Sequence, residues 1–162
     1  MTSPISAVEP DWSREHRESG SWEPGKALLK SIRDYQRARG NRRVLSAKVA
    51  VLRHRFWSVI SGAEIPLDCK IGGGLLIPHP NGIVINNEVE IGPNCLLFQQ
   101  VTIGATERGV PRLGGHVDVG AGAKIIGPIV IGDHARIGAN AVVTSDVPAG
   151  ATVMGIPARI VD

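Results

Sequence analysis

Only two cysteines, Cys69 and Cys95, occur in the 162 residues. Two thiols cannot build a disulfide framework, and no His/Cys spacing matches a zinc site. Both cysteines are expected to be small core residues, and no metal is expected. Long apolar runs are also missing: none approaches the ~20 residues of a membrane-crossing helix, so no membrane span is expected. The opening stretch MTSPISAVEPDWSREHRESG has no apolar segment behind a basic start. That is not the pattern of a secretory signal and makes the cytoplasm the expected location. No DNA- or RNA-binding motif accompanies the basic residues, so nucleic acid is not expected as a partner.

Hydrophobic residues make up 43% of the chain and charged ones 20%, the balance of a globular domain. The net charge of +3 is unevenly spread, because the span from Lys26 to Arg55 is densely basic. It reads either as the solvated face of helices or as a contact for an anionic partner: a nucleotide-bearing cofactor, a membrane surface or an acidic polymer. Residues 1–24, rich in Ser, Glu and Pro, are expected to form an arm that is flexible or orders on contact. Residues 25–62 are expected to form a short helical cap. Leu28, Ile32 and Tyr35 fall on one helical face after Pro24, and Gly40 suits a helix end. Leu45, Val49, Leu52 and Phe56 make a second apolar stripe. The two helices are expected to pack together and close the first turn of the region beyond residue 62.

From residue 63 onward the rhythm changes. Aliphatic residues recur every six positions: Ile65, Ile71, Ile77 and Ile83; then Ile85, Ile91, Leu97 and Ile103; then Leu113, Val119, Ile125, Ile131, Ile137 and Val143. A period of six fits neither a 3.6-residue helix nor a short alternating strand. It fits a solenoid of triangular coils, each side sending one aliphatic residue inward. The expected fold class is an all-β, left-handed parallel β-helix over 63–162. Gly72, Gly92, Gly104, Gly120, Gly132 and Gly138 each follow an inward residue, where a small side chain lets coils approach.

Two breaks interrupt the period. Between Ile83 and Ile85 the register slips by two, the mark of a tightened or bulged corner. Between Ile103 and Leu113 four residues are extra, so the segment from Ala105 to Arg112 is expected to project as a loop. Within the first block, His79 sits near a corner, and Glu64 stands nearly one coil earlier. From spacing alone His79 reads either as a surface histidine or as a base oriented by Glu64, whose carboxylate would select the imidazole tautomer.

The segments EIPLDCKIGGGLLIPHPNGIV (Glu64 to Val84), FQQVTIG (Phe98 to Gly104), GAGAKIIG (Gly120 to Gly127) and GIPAR (Gly155 to Arg159) resemble the serine O-acetyltransferases, which are hexapeptide-repeat acyltransferases. The resemblance covers about 63–160. It implies an acetyl-CoA-dependent O-acetyltransferase of cysteine biosynthesis with His79 as general base. Glu64 falls where the family has an aspartate paired with that histidine. The resemblance further implies direct attack of the acceptor hydroxyl on the thioester, without an acyl-enzyme. Coenzyme A would lie between subunits of a homotrimer, along Gly104, Ala105, Ala123 and Lys124, with Arg159 nearby.

Three departures bear on the acceptor and partners. The family's second, serine-holding histidine aligns with Val110, which leaves Arg112 to meet an acceptor carboxylate; His116 reads as a surface residue. No Asp-Pro motif of the family's helical domain is present. The C-terminal tail that docks into cysteine synthase is missing, so neither that complex nor cysteine feedback is expected. Two further readings stay open: an O-acetyltransferase acting on a sugar, a polysaccharide precursor or a specialised amino acid, and a non-catalytic solenoid.

Overall fold

The protein, seen in a computed structural model, is described over residues 5–161. After residue 62 the chain winds into a parallel β-helix of about five turns, each turn laying short strands on three sheets. Sheet A carries β2 (Val84–Ile85), β5 (Thr102–Gly104), β8 (Lys124–Ile126) and β11 (Val142–Val143). Sheet B carries β1 (Lys70–Ile71), β3 (Glu90–Ile91), β6 (Arg112–Leu113) and β9 (Val130–Ile131). Sheet C carries β4 (Leu96–Leu97), β7 (Asp118–Val119), β10 (Arg136–Ile137) and β12 (Thr152–Met154), and β13 (Arg159–Val161) returns antiparallel to close it.

The six-residue period accounts for this register. Ile85 pairs with Ile103 and Ile103 with Ile125, Ile71 with Ile91, Leu97 with Val119. All point inward and are buried. The residue before each inward one points out, as strand alternation requires. A second buried row lies two residues ahead of the first and includes Ala63, Cys69, Leu75, Val89, Cys95, Val101 and Val117. Ile83 belongs to this second row, not to the first as the period suggested, because Glu64 bridges Val84 and so places Ile65 beside Ile85. The two extra residues of that coil therefore lie in the corner at 78–82. Burial pushes both cysteine thiols up to about 11, so they are inert core residues as expected.

Stacking leaves no room at certain glycines. A Cβ on Gly72 would sit 2.5 Å from the Pro93 nitrogen, and one on Gly120 would sit 2.6 Å from the Ala139 nitrogen.

A solenoid end exposes unpaired backbone groups. Here α1 (Pro24–Gly40) and α2 (Val44–Ser61) satisfy those of the first coil. Arg33 donates to the Ile71 and Gly72 carbonyls, Gln36 to those of Leu67 and Cys69, and Ser58 to that of Ala63, while His54 Nε2 meets the Ile65 carbonyl. Leu28, Leu29 and Ile32 of α1 are buried in the same core. The second stripe is a different matter. Leu45, Val49, Leu52 and Phe56 all face outward, and α2 buries Ala50 and Ser61 instead. Small side chains let the two helices approach closely, and the large ones are left outside.

The N-terminal arm is held against the coils and cap over its described part. Glu15 pairs with Arg33 at 2.7 Å and accepts the Gly74 and Leu75 amides. The buried Asn94, in a left-handed backbone conformation at φ 61°, accepts the Asp11 amide and donates to the Ser6 and Glu9 carbonyls, each at 2.8 Å. Asn94→Ala is expected to release this arm and lower stability by about 1–3 kcal/mol. Faster proteolysis before residue 23, together with a lower Tm, would report the release. Asn94→Gly, which suits the backbone, should still lose the arm.

Candidate active site

His79 occupies the corner between sheets C and A, where the first coil passes into the second. The corner is built stiffly. Pro78 and Pro80 flank the histidine and restrict its backbone. The Gly82 amide donates to the Gly62 carbonyl at 2.7 Å, and Gly82 has φ +72°, a left-handed turn that suits glycine. The Asn81 carbonyl accepts the Gln100 amide from the next coil at 2.9 Å. Two extra residues push this corner beyond the six-residue sides, and His79 is exposed on it.

Glu64 leads the outward row of sheet A, in register with Val84; Thr102 and Lys124 come after it on successive coils. Its backbone is locked by the Ile83 carbonyl and the Ile85 amide. Along this row runs a shallow groove of about 440 Å³, lined by Glu64, Val84, Asn86, Asn87, Gly104 and Ala105 among others. The groove thus unites three residues read from the sequence, and His79 stands at the edge of the same sheet. No hydrogen bond joins Glu64 to His79 among the described residues; catalytic hydrogen bonds are often long in ligand-free sites.

The loop at one end of the groove projects as expected. Thr106 and Gly109 exchange backbone hydrogen bonds at 2.9 and 3.1 Å, making a tight exposed turn at the corner of sheets A and B. Val110 does not face the groove: it is half-buried and packs on the core.

The other residues are spread more widely. Lys124 lies on sheet A three strands from Glu64, about 14 Å along the axis, and donates to the Gln100 carbonyl. Ala123 points its methyl inward, fully buried, and its carbonyl accepts the Thr102 amide, so its side chain offers a ligand nothing. Arg112 points from sheet B, where it meets Glu90 at 3.8 Å beside the Lys70–Glu90 pair. Arg112 thus stands on a different sheet from the corner between sheets C and A that carries His79. Arg159 lies on β13 at the far end of sheet C and donates to its neighbour's carbonyl. Among the described residues there is no cluster of three or more metal-ligating side chains.

Sequence reasoning missed Asn86, Asn87 and Thr102 as groove residues. The signal was present, since Thr102 precedes an inward isoleucine. It also missed that His116 and His134, one coil apart, meet Nδ1 to Nδ1 at 2.8 Å; burial foremost holds His116 below the usual histidine value.

The coils and cap align with solved serine acetyltransferases. One in complex with CoA has a TM-score of 0.74 and 36% identity, over 86% of this chain and 58% of that one. One from Neisseria gonorrhoeae in complex with serine gives 0.75 and 31%, over 87% and 58%. The chain belongs to the hexapeptide-repeat proteins. Among curated relatives, the serine acetyltransferase of Staphylococcus epidermidis is 42% identical over 125 residues, 75% of this chain and 57% of that protein. This hexapeptide-repeat chain spans about half the length of the curated relatives it matches. No family model matches it.

Proposed function

We propose that this chain is an acetyl-CoA-dependent O-acetyltransferase with L-serine as acceptor and His79 as general base. The observation that carries the reading is a single exposed histidine on a proline-clamped corner, beside a carboxylate-bearing groove. The scaffold is shared with serine acetyltransferases solved with CoA and with serine.

The chemistry asks little more of the protein. A thioester is already activated, while an alcohol is a poor nucleophile at neutral pH. His79 takes the hydroxyl proton as the oxygen bonds to the acyl carbon, and returns it to the sulfur as the C–S bond breaks. Glu64, on the adjacent coil, turns the ring and stabilises the imidazolium. The exposed groove around Gly104 and Ala105 suits the pantetheine arm. A second wall from a neighbouring copy, in a homotrimer, would enclose it, and a cytoplasmic role in cysteine synthesis goes with this reading.

Purified protein with acetyl-CoA and L-serine should release free thiol, saturably in both substrates. No release at millimolar L-serine removes serine as acceptor. A sugar or another amino acid is the second reading, and Val110 packed on the core favours testing it. A panel of hydroxyl acceptors in the same assay decides. Glu64→Gln should lower kcat about ten- to a hundredfold, the worth of one charge-assisted hydrogen bond, with KM for acetyl-CoA held.

A further inference from the structure

The outer face of α2 is apolar where a surface helix is ordinarily polar. Leu45, Val49, Leu52, Phe56 and Val59 are separated by four, three, four and three residues, and all are exposed: Leu45 at 76%, Leu52 at 66% and Val59 at 82%. A 3.5-residue spacing is the seam of helix-on-helix packing, narrower than the face a helix lays on its own core. Charge along this seam has one sign. Between Tyr35 and Ala63 the sequence holds seven Lys or Arg and no Asp or Glu. Lys48 and Arg55 flank the seam, and among the described residues neither they nor Arg43 pair with a carboxylate. Between α1 and α2 the same face sinks into a groove of about 420 Å³, with Leu45, Val49 and Ala50 below and Arg37, Arg43 and Arg53 around the rim. Asp34 also lines it and pairs with Arg53 and Arg37, which leaves Arg43 as its unpaired arginine among the described residues.

We propose that this face is the docking surface for an acidic amphipathic helix of another protein. The occupant would carry aliphatic residues at three- and four-residue spacing and Asp or Glu along both flanks. Three observations select it. The narrow seam calls for a helix. The concave, arginine-rimmed groove accepts a ridge of side chains rather than a flat bilayer. The unpaired positive charge sets two copies of α2 against each other, because Lys48 and Arg55 of one copy would face their equivalents. This surface lies on the cap and does not depend on the chemistry assigned to His79.

The test uses the full chain and a labelled three-heptad helical peptide with leucine on the seam and glutamate on both flanks. A second peptide has lysine in place of each glutamate. By fluorescence anisotropy the glutamate peptide should bind saturably at micromolar concentration, and about tenfold or more weaker when salt rises from about 0.05 M to about 0.5 M. The lysine peptide should bind at least about tenfold more weakly. Leu52→Glu, on an exposed position, should abolish binding while leaving the circular dichroism and the thiol-release rate unchanged. Equal binding of the two peptides, or of neither, overturns the proposal. So does capture of the chain by phosphatidylserine vesicles that Leu52→Glu abolishes, which assigns the face to a membrane. Self-association in sedimentation velocity that Leu52→Glu abolishes also overturns it, and assigns the face to a second copy.

Discussion

Replacing His79 by alanine is expected to lower kcat for acetyl transfer by about two to four decades, with acetyl-CoA binding intact. The size of the effect comes from what the side chain does. Without a base, the hydroxyl must lose its proton to water as it attacks, and the advantage of a positioned proton acceptor is lost. Acetyl-CoA binding survives because His79 stands on the corner, whereas the groove runs along sheet A past Gly104 and Ala105. The fold survives because the side chain is exposed and its corner is held by backbone bonds from Gly62 and Gln100. Steady-state kinetics with a thiol readout, beside calorimetric titration of acetyl-CoA, separates the two quantities. A variant with full kcat would remove His79 from the chemistry and leave the groove as a binding site only.

How much of the fold is legible in the sequence depends on how each feature is encoded. The inward rows could be read because a solenoid repeats one local demand many times: an aliphatic residue, then a small one. Ile103, Ile125 and Val143 answer the same requirement in successive coils. The corner at His79 was legible as a break in rhythm, though its place was misread by a few residues. A two-residue slip shows itself at the next aliphatic, Ile83, while the extra chain sits earlier, at 78–82. The outward rows were harder to read. Position alone marks Thr102 as outward, one residue before Ile103, but residue type there carries no signature, because solvent accepts almost any side chain. The helical stripes failed for a related reason. Leu28 with Ile32 and Leu52 with Phe56 show the same four-residue helical spacing, yet only the first pair faces the core. Periodicity reveals that a face is apolar; it does not say what covers it. Composition does not choose between a flexible arm and one ordered on contact, because the order rests on long-range contacts, Glu15 with Arg33 and Asp11 with Asn94.

Ile103→Ala is expected to lower stability by about 2–5 kcal/mol. Ile103 is fully buried on β5, inside sheet A, with Ile85 on one side and Ile125 on the other. In a solenoid each turn is stabilised mainly by its two neighbours. A cavity at an inner coil therefore weakens two interfaces, and the flat, hydrogen-bonded turns on either side cannot collapse into it. For a chain of this size the loss corresponds to a fall in Tm of about 5–20 °C, measured by thermal circular dichroism. Val130→Ala provides the contrast, since that valine points outward from β9 and is 53% exposed; its cost should stay within about 0.5 kcal/mol. If the two variants melted together, the inward row would not be what holds the coils, and the energetic reading of the six-residue period would fail with it.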